Sequence, residues 1–124
     1  MTSTSGFRVR RVYDPPESGD GVRVLVDRLW PRGLSKEAAA VDEWPKSLTP
    51  SGELRKWLHA EPDRYDEFSR RYRAELAAPE LRGDLAHLRR LASARTVTLL
   101  TAVKNPDHSH VPVLLESLED GSPP

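Results

Sequence analysis

The chain has 124 residues, 37% hydrophobic and 31% charged, with 19 basic and 19 acidic side chains. That length supports one compact domain, and zero net charge leaves any nucleic-acid binding to a local patch. There is no cysteine, which excludes disulfides, thiolate zinc sites and a cysteine nucleophile.

Residues 1–6 read as a leader without an apolar signal core, and no apolar run approaches membrane-spanning length, so a cytoplasmic protein with no membrane partner is expected. "FRVRRVY" (7–13) alternates Phe7 and Val9 with arginine and reads as a half-buried strand. "DPPESGDG" (14–21) is a loop by its turn formers. "VRVLV" (22–26) is a second, more buried strand. "LSKEAAA" has the composition of a short helical turn, and the two prolines between Asp42 and Pro50 predict irregular chain.

Ser51 is a plausible N-cap for "SGELRKWLHA", whose Leu54, Trp57 and Leu58 share a face. "EPDRYDEFSRRYRAEL" is the clearest helix, with Tyr65, Phe68, Tyr72 and Leu76 at intervals of three and four. Residues 79–94 make another, with Pro79 in its first turn and Leu81, Leu85, Leu88 and Leu91 as its stripe. "TVTLLTAV" (96–103) is a third strand, apolar enough to be central. "SHVPVLLESLE" closes the chain as a helix, and 119–124 reads as a flexible tail.

This order predicts a single α/β domain over 7–118: a short, mainly parallel sheet flanked by helices. Three strands make a thin sheet, so an extra short strand near 42–50, or a homodimer through an open edge, would complete it.

Ligands gather at the carboxyl ends of parallel strands. Two loops leave such ends here, "DRLWPRG" after strand two and "VKNPDHSH" after strand three. If the strands are neighbours, the loops face one another. Arg28 and Arg32 suit bidentate binding of phosphate or carboxylate, Trp30 offers a stacking surface, and Gly33 permits a positive φ. Asp27 could orient an arginine or act as a base, and the structural alternative is a salt bridge to Arg28 with Trp30 packed under a helix.

In the second loop, Lys104, Asp107, His108 and His110 crowd together. The His108–His110 spacing is a poor metal half-site, so no metal is expected; acid–base work or anion binding fits imidazoles better. The structural alternative is that Asp107 and Ser109 only cap the last helix. Trp44 is a loop anchor or a pocket wall, Arg55 could reach the same crevice, and Trp57 reads as core. No standard nucleotide, hydrolase or metalloprotease motif is present, so reaction class and cofactor stay open.

The candidates are therefore Asp27, His108 and His110 for catalysis, and Arg28, Trp30, Arg32, Trp44, Arg55 and Lys104 for an anionic small molecule. Alternatively, Arg8, Arg10, Arg11, Arg23 and the arginines of 64–73 could form a local basic face for nucleic acid or regulation. A structural or dimerisation module without catalysis is the third reading.

"RVLVDRLWPRGLSKE", "DEWPKSLTPSGELRKWLHAEPDRYDEFSRRYRAEL" and "VTLLTAVKNPDHSHVPVLLESL" together resemble the YeaO-like branch of the domain of unknown function 488 family, from Phe7 to about Leu118. The run Asp27-Arg28-Leu29-Trp30-Pro31-Arg32-Gly33 is the most specific part of that resemblance. Longer relatives carry a Cys-His-Arg segment after the late strand. The resemblance puts Ser109 at the Cys-like place and His110 at the His-like place, with no arginine next. Thiol chemistry there is closed to this chain.

Overall fold

A computed structural model describes residues 6–120; of the leader expected at 1–6 and the tail expected at 119–124, residues 1–5 and 121–124 lie outside the described residues, while α-helix continues to Asp120. Three strands, β1 (Phe7–Arg11), β2 (Val22–Leu25) and β3 (Val97–Thr101), form one parallel sheet in the order β1-β3-β2. The last strand in the chain is central. Phe7, Val97 and Val22 lie side by side, as do Val9, Leu99 and Val24. All three strands therefore end together, and the loops after β2 and β3 leave adjacent strand ends.

Five helices accompany the sheet: α1 (Lys36–Ala39), α2 (Gly52–Ala60), α3 (Tyr65–Leu76), α4 (Arg82–Ala94) and α5 (Val111–Asp120). Ser51 caps α2, its side chain accepting from the Leu54 N–H, and Ser35 caps α1 from the Ala38 N–H. Pro79 opens a 3-10 turn that leads into α4. The short-strand expectation for 42–50 reduces to one bridge, Val24 with Glu43. It nevertheless closes the β2 edge: the Asp42 and Glu43 N–H groups bond the Arg23 carbonyl, and the Leu25 N–H bonds the Glu43 carbonyl.

Strand side chains alternate between faces. Val22, Val24, Val26, Val97 and Leu99 pack on the main core with Leu54, Phe68, Tyr72, Leu76, Leu85, Leu88, Val111, Leu114 and Leu118. Each such aliphatic side chain contributes about 1.5–3 kcal/mol when fully buried. Trp57 packs at the margin of this core beneath the guanidiniums of Arg64 and Arg71. The other face carries a smaller cluster of Val12, Leu25, Ala39 and Leu100, covered by Trp30, Leu34, Val41 and Trp44.

The same second face holds a buried charge. Asp20 is 1% exposed and Arg23 4%. Arg23 Nη1 donates to Asp20 Oδ2 at 2.5 Å, Arg10 Nη1 to the same oxygen at 2.9 Å, and Arg8 Nη1 lies 3.3 Å from Oδ1. Burial alone would raise the Asp20 pKa. The Glu17 N–H and the Arg23 and Arg10 guanidiniums outweigh it and hold the carboxyl below its ordinary value. Gly21 lets the chain turn from Asp20 into β2: its φ is +63°, and a Cβ there would stand 2.1 Å from the Thr96 carbonyl oxygen. Among the described residues no helix is long and apolar enough to cross a membrane.

Candidate functional site

The parallel ladder runs one residue past β2, with the Val26 N–H bonding the Leu100 carbonyl at 3.0 Å. This places Asp27 against the end of β3. Its Oδ1 accepts from Thr101 Oγ1 and its Oδ2 from the Ala102 N–H, each at 2.7 Å. The carboxylate thus satisfies two groups of a strand that has run out of neighbours.

His110, immediately before α5, completes the arrangement. Its Nε2 is 2.7 Å from the Val26 carbonyl oxygen and 3.3 Å from Asp27 Oδ1. A carbonyl only accepts, so Nε2 carries the proton and faces both oxygens. Burial would raise the Asp27 pKa; His110, the Ala102 N–H and the Thr101 hydroxyl together bring it below the ordinary carboxylate value. Tyr72 packs edge-on to the His110 ring, with centroids 6.3 Å apart, and its hydroxyl donates to the Leu48 carbonyl. Burial pushes the Tyr72 hydroxyl far above its ordinary pKa.

The loop after Asp27 is pinned by two indoles. Trp44 Nε1 donates to the Asp27 carbonyl and Trp30 Nε1 to the Leu34 carbonyl, both at 2.7 Å. The rings meet edge to face, 5.4 Å apart, with Lys46 Nζ 4.1 Å from the Trp44 ring centre. Gly33 takes φ +76° with open space about it. The Tyr13 hydroxyl, just past β1, donates to the Arg32 carbonyl. The 27–33 loop is therefore held to all three strand ends.

The structure brings together Asp27 with His110, and Trp30 with Trp44. Among the described residues the remaining candidates make no side-chain hydrogen bond or ion pair with these four. Arg28 is exposed, its Nη1 3.5 Å from the Pro50 carbonyl; Arg32, Lys104 and Arg55 are exposed too, Arg55 on α2. His108 is exposed, its ring edge against Tyr65 and its Nδ1 3.3 Å from Asn105 Nδ2. Two surface concavities, about 380 and 290 Å³, are lined by residues of 63–70 and of 73–89 with Ser117, and neither lining includes a candidate residue. Among the described residues no three His, Asp or Glu side chains gather to hold a metal ion.

Several residues outside the candidate catalytic and anion-binding sets do essential positioning. Thr101 fixes one Asp27 oxygen. The Tyr65 hydroxyl donates to the Ser109 carbonyl at 2.6 Å, tying the 104–110 loop to α3. Ser109 Oγ donates to the Pro106 carbonyl and accepts from the Val111 N–H, closing the loop on itself. Asp20 and Arg23 form the buried pair. A polar residue at the end of an apolar strand (Thr101) was the available signal for the first, and Ser109 was legible as a cap of the last helix, whose Val111 N–H it accepts; the others needed the fold.

A parallel sheet whose central and edge strands end in an Asp–Thr–His cluster defines a small α/β protein with its polar centre at the strand ends. The chain belongs to the YeaO-like branch of the domain of unknown function 488 family: the family described as "Inactive DUF488-N3 subclade" matches residues 6–122. It is similar to "Uncharacterized protein YeaO" of Escherichia coli (strain K12), 49% identical over 112 residues, 90% of this chain and 96% of the relative. "Uncharacterized protein Rv3073c" of Mycobacterium tuberculosis (strain ATCC 25618 / H37Rv) and "Uncharacterized protein Mb3100c" of Mycobacterium bovis (strain ATCC BAA-935 / AF2122/97) are each 43% identical over 118 residues, 95% of this chain and 98% of theirs. No solved structure matches the chain.

Proposed function

We propose that this protein binds a small phosphate- or carboxylate-bearing molecule at the carboxyl ends of β2 and β3 and does not turn it over. The observation that carries this reading concerns cations. Arg28 and Arg32 after β2, and Lys104 after β3, are exposed and have no carboxylate within ion-pair distance among the described residues. The arginines on β1 and β2 differ: Arg8, Arg10 and Arg23 are spent on Asp20 and Glu17, and Arg11 donates to the Ala102 and Val103 carbonyls. Unpaired guanidiniums at a strand end, on a loop held rigid by Asp27 and Trp44, are preorganised for an anion.

The absence of turnover rests on where protons are committed. Ser109 Oγ is engaged at both its donor and an acceptor position, and His110 Nε2–H is directed at Val26 and Asp27. Neither faces the other as nucleophile and base. The word "Inactive" in the description of the matching family agrees with this.

The nucleic-acid reading has less support. Besides the pairing of Arg8, Arg10 and Arg23, Arg70 and Arg71 pair with Glu67, and Arg73 with Glu116.

The test is calorimetric titration with inorganic phosphate, then a panel of phosphorylated and carboxylated metabolites. Wild type binds, and the triple variant Arg28→Ala/Arg32→Ala/Lys104→Ala loses binding while keeping its melting temperature. Absence of binding by wild type, or equal binding by the variant, overturns the reading.

A further inference from the structure

We infer, resting on the anion-binding reading above, that the molecule bound at the carboxyl ends of β2 and β3 has an apolar body, an aryl or acyl group, and is not a sugar phosphate or other polyol. Contacts link the cations of this end through one aromatic ring. The Tyr13 hydroxyl donates to the Arg32 carbonyl at 3.0 Å, and the Arg11 guanidinium lies 5.6 Å from the centre of the Tyr13 ring. The same guanidinium donates to the Ala102 and Val103 carbonyls, which brings it beside the residue that precedes Lys104. Arg28 stands on the same loop as Arg32. Among the described residues Arg11, Arg28, Arg32 and Lys104 have no carboxylate within ion-pair distance. Asp14 and Asp107, the exposed acids of the same segments, therefore pair with none of them.

Among the described residues, the large apolar side chain most exposed to water lies on that loop. Leu29 is 63% and Tyr13 43% exposed, against 37% for Val9. Leu29 follows Arg28 directly and precedes Arg32 by three residues. The backbone around it is fixed: Trp44 Nε1 holds the Asp27 carbonyl two residues before it, and Trp30, next to it, is held through Nε1 to the Leu34 carbonyl. Leu29 is thus kept in water beside a guanidinium. A ligand whose apolar group covers it gains binding free energy in proportion to the area removed from water.

A polyol needs neutral hydrogen-bonding side chains, and those around the loop are committed. The Tyr13 hydroxyl is given to Arg32, the Trp30 and Trp44 N–H groups to Leu34 and Asp27, and the Thr101 hydroxyl to Asp27, whose Oδ2 accepts from the Ala102 N–H. Setting sugar hydroxyls against Leu29 without partners is unfavourable. Guanidinium, ammonium and apolar surface are what these commitments leave, and their complement is an anionic group on an apolar body.

The experiment is calorimetric titration of the full chain with two pairs of probes matched in charge: phenyl phosphate against glycerol phosphate, and benzoate against glycerate. Within each pair that binds, wild type takes the apolar member at least about tenfold more tightly than the polar one. In Leu29→Ser that ratio falls at least about threefold, with an unchanged melting temperature because Leu29 is exposed. Equal or weaker binding of the apolar member, or an undiminished ratio in folded Leu29→Ser, overturns this inference and leaves the anion reading standing. No binding of any probe overturns both. If the variant unfolds, methyl NMR of wild type decides. Phenyl phosphate shifting the Leu29 methyl signals more than glycerol phosphate does supports the apolar contact; equal or absent shifts refute it.

Discussion

His110 and Asp27 meet across 83 residues of chain, Nε2 to Oδ1 at 3.3 Å, with the Val26 carbonyl sharing the same proton. The contact ties the start of α5 to the end of β2. Because Asp27 also holds Thr101 and Ala102, one carboxylate joins two strands and a helix. His110→Ala removes a donor from two partly buried oxygens, and the expected loss of stability is about 1–3 kcal/mol. Urea unfolding checks it; a change within about 0.5 kcal/mol, as for an ordinary surface substitution, contradicts the linking role.

Acid should unfold the protein through its low-pKa carboxyls. In the folded protein the Asp27 and Asp20 carboxyls are both held below the ordinary carboxylate value by the N–H, hydroxyl, imidazole and guanidinium donors around them, against the opposing effect of burial. A group depressed in this way binds protons less tightly when folded. Its contribution is complete above the unfolded value, about 3.9, and is lost as pH falls through the folded value. Stability from these two groups is then flat from neutral pH to about 5 and declines below about 4. Asp27→Asn lowers the plateau and makes the acid limb shallower, which denaturation midpoints measured across that range will show.

The Asp20–Arg23 pair is the costliest ionic contact to break alone. Asp20→Ala leaves the 4%-exposed Arg23 without its carboxylate, a loss of about 3–5 kcal/mol. Adding Arg23→Met should recover part of that loss, since the uncompensated charge is gone. A double-mutant cycle measures the coupling; additive effects contradict it.

The indoles act chiefly through their N–H groups and their packing. Trp44→Phe keeps a ring but frees the Asp27 carbonyl, and Trp30→Phe frees that of Leu34. Each should cost about 0.5–1.5 kcal/mol for the lost hydrogen bond, with additional loss from the smaller ring. Unfolding midpoints of both variants check this.

Placing a thiol at position 109 should not create a reactive centre. Ser109 is 6% exposed and enclosed by Pro106 and Val111. Ser109→Cys is expected to react with a thiol reagent at least about tenfold more slowly than free cysteine at equal pH, for want of access. A fast-reacting thiol would show that the 104–110 loop opens.

The strands and the four longer helices were legible because each has a clear period: Val22, Val24 and Val26 in steps of two, and Tyr65, Phe68, Tyr72 and Leu76 in steps of three and four. Their parallel arrangement followed from the long helical connection between β2 and β3. Arg23 was not legible as a buried residue. Within "VRVLV" it occupies the alternate position that ordinarily faces solvent, and it is enclosed by Asp20 of the 14–21 loop and by the Ala39 and Ala40 carbonyls at the end of α1, to which its guanidinium donates. At the strand ends, Asp27 and His110 were both recognised as candidates. Their mutual contact depended on β2 and β3 being neighbours, which residue spacing does not encode.

The order of residues alone determined local periodicity, the caps at Ser35 and Ser51, the positive-φ turn at Gly33 and the absence of any thiol. These depend on interactions within a few positions. Tertiary structure decided which charges are paired: Asp20 gathers Arg8, Arg10 and Arg23, while Arg28, Arg32 and Lys104 stay exposed on the loops after β2 and β3. The reason is physical. A side chain's charge is the same wherever it stands, but its solvation and its partner are set by strands and loops distant in sequence that pack beside it.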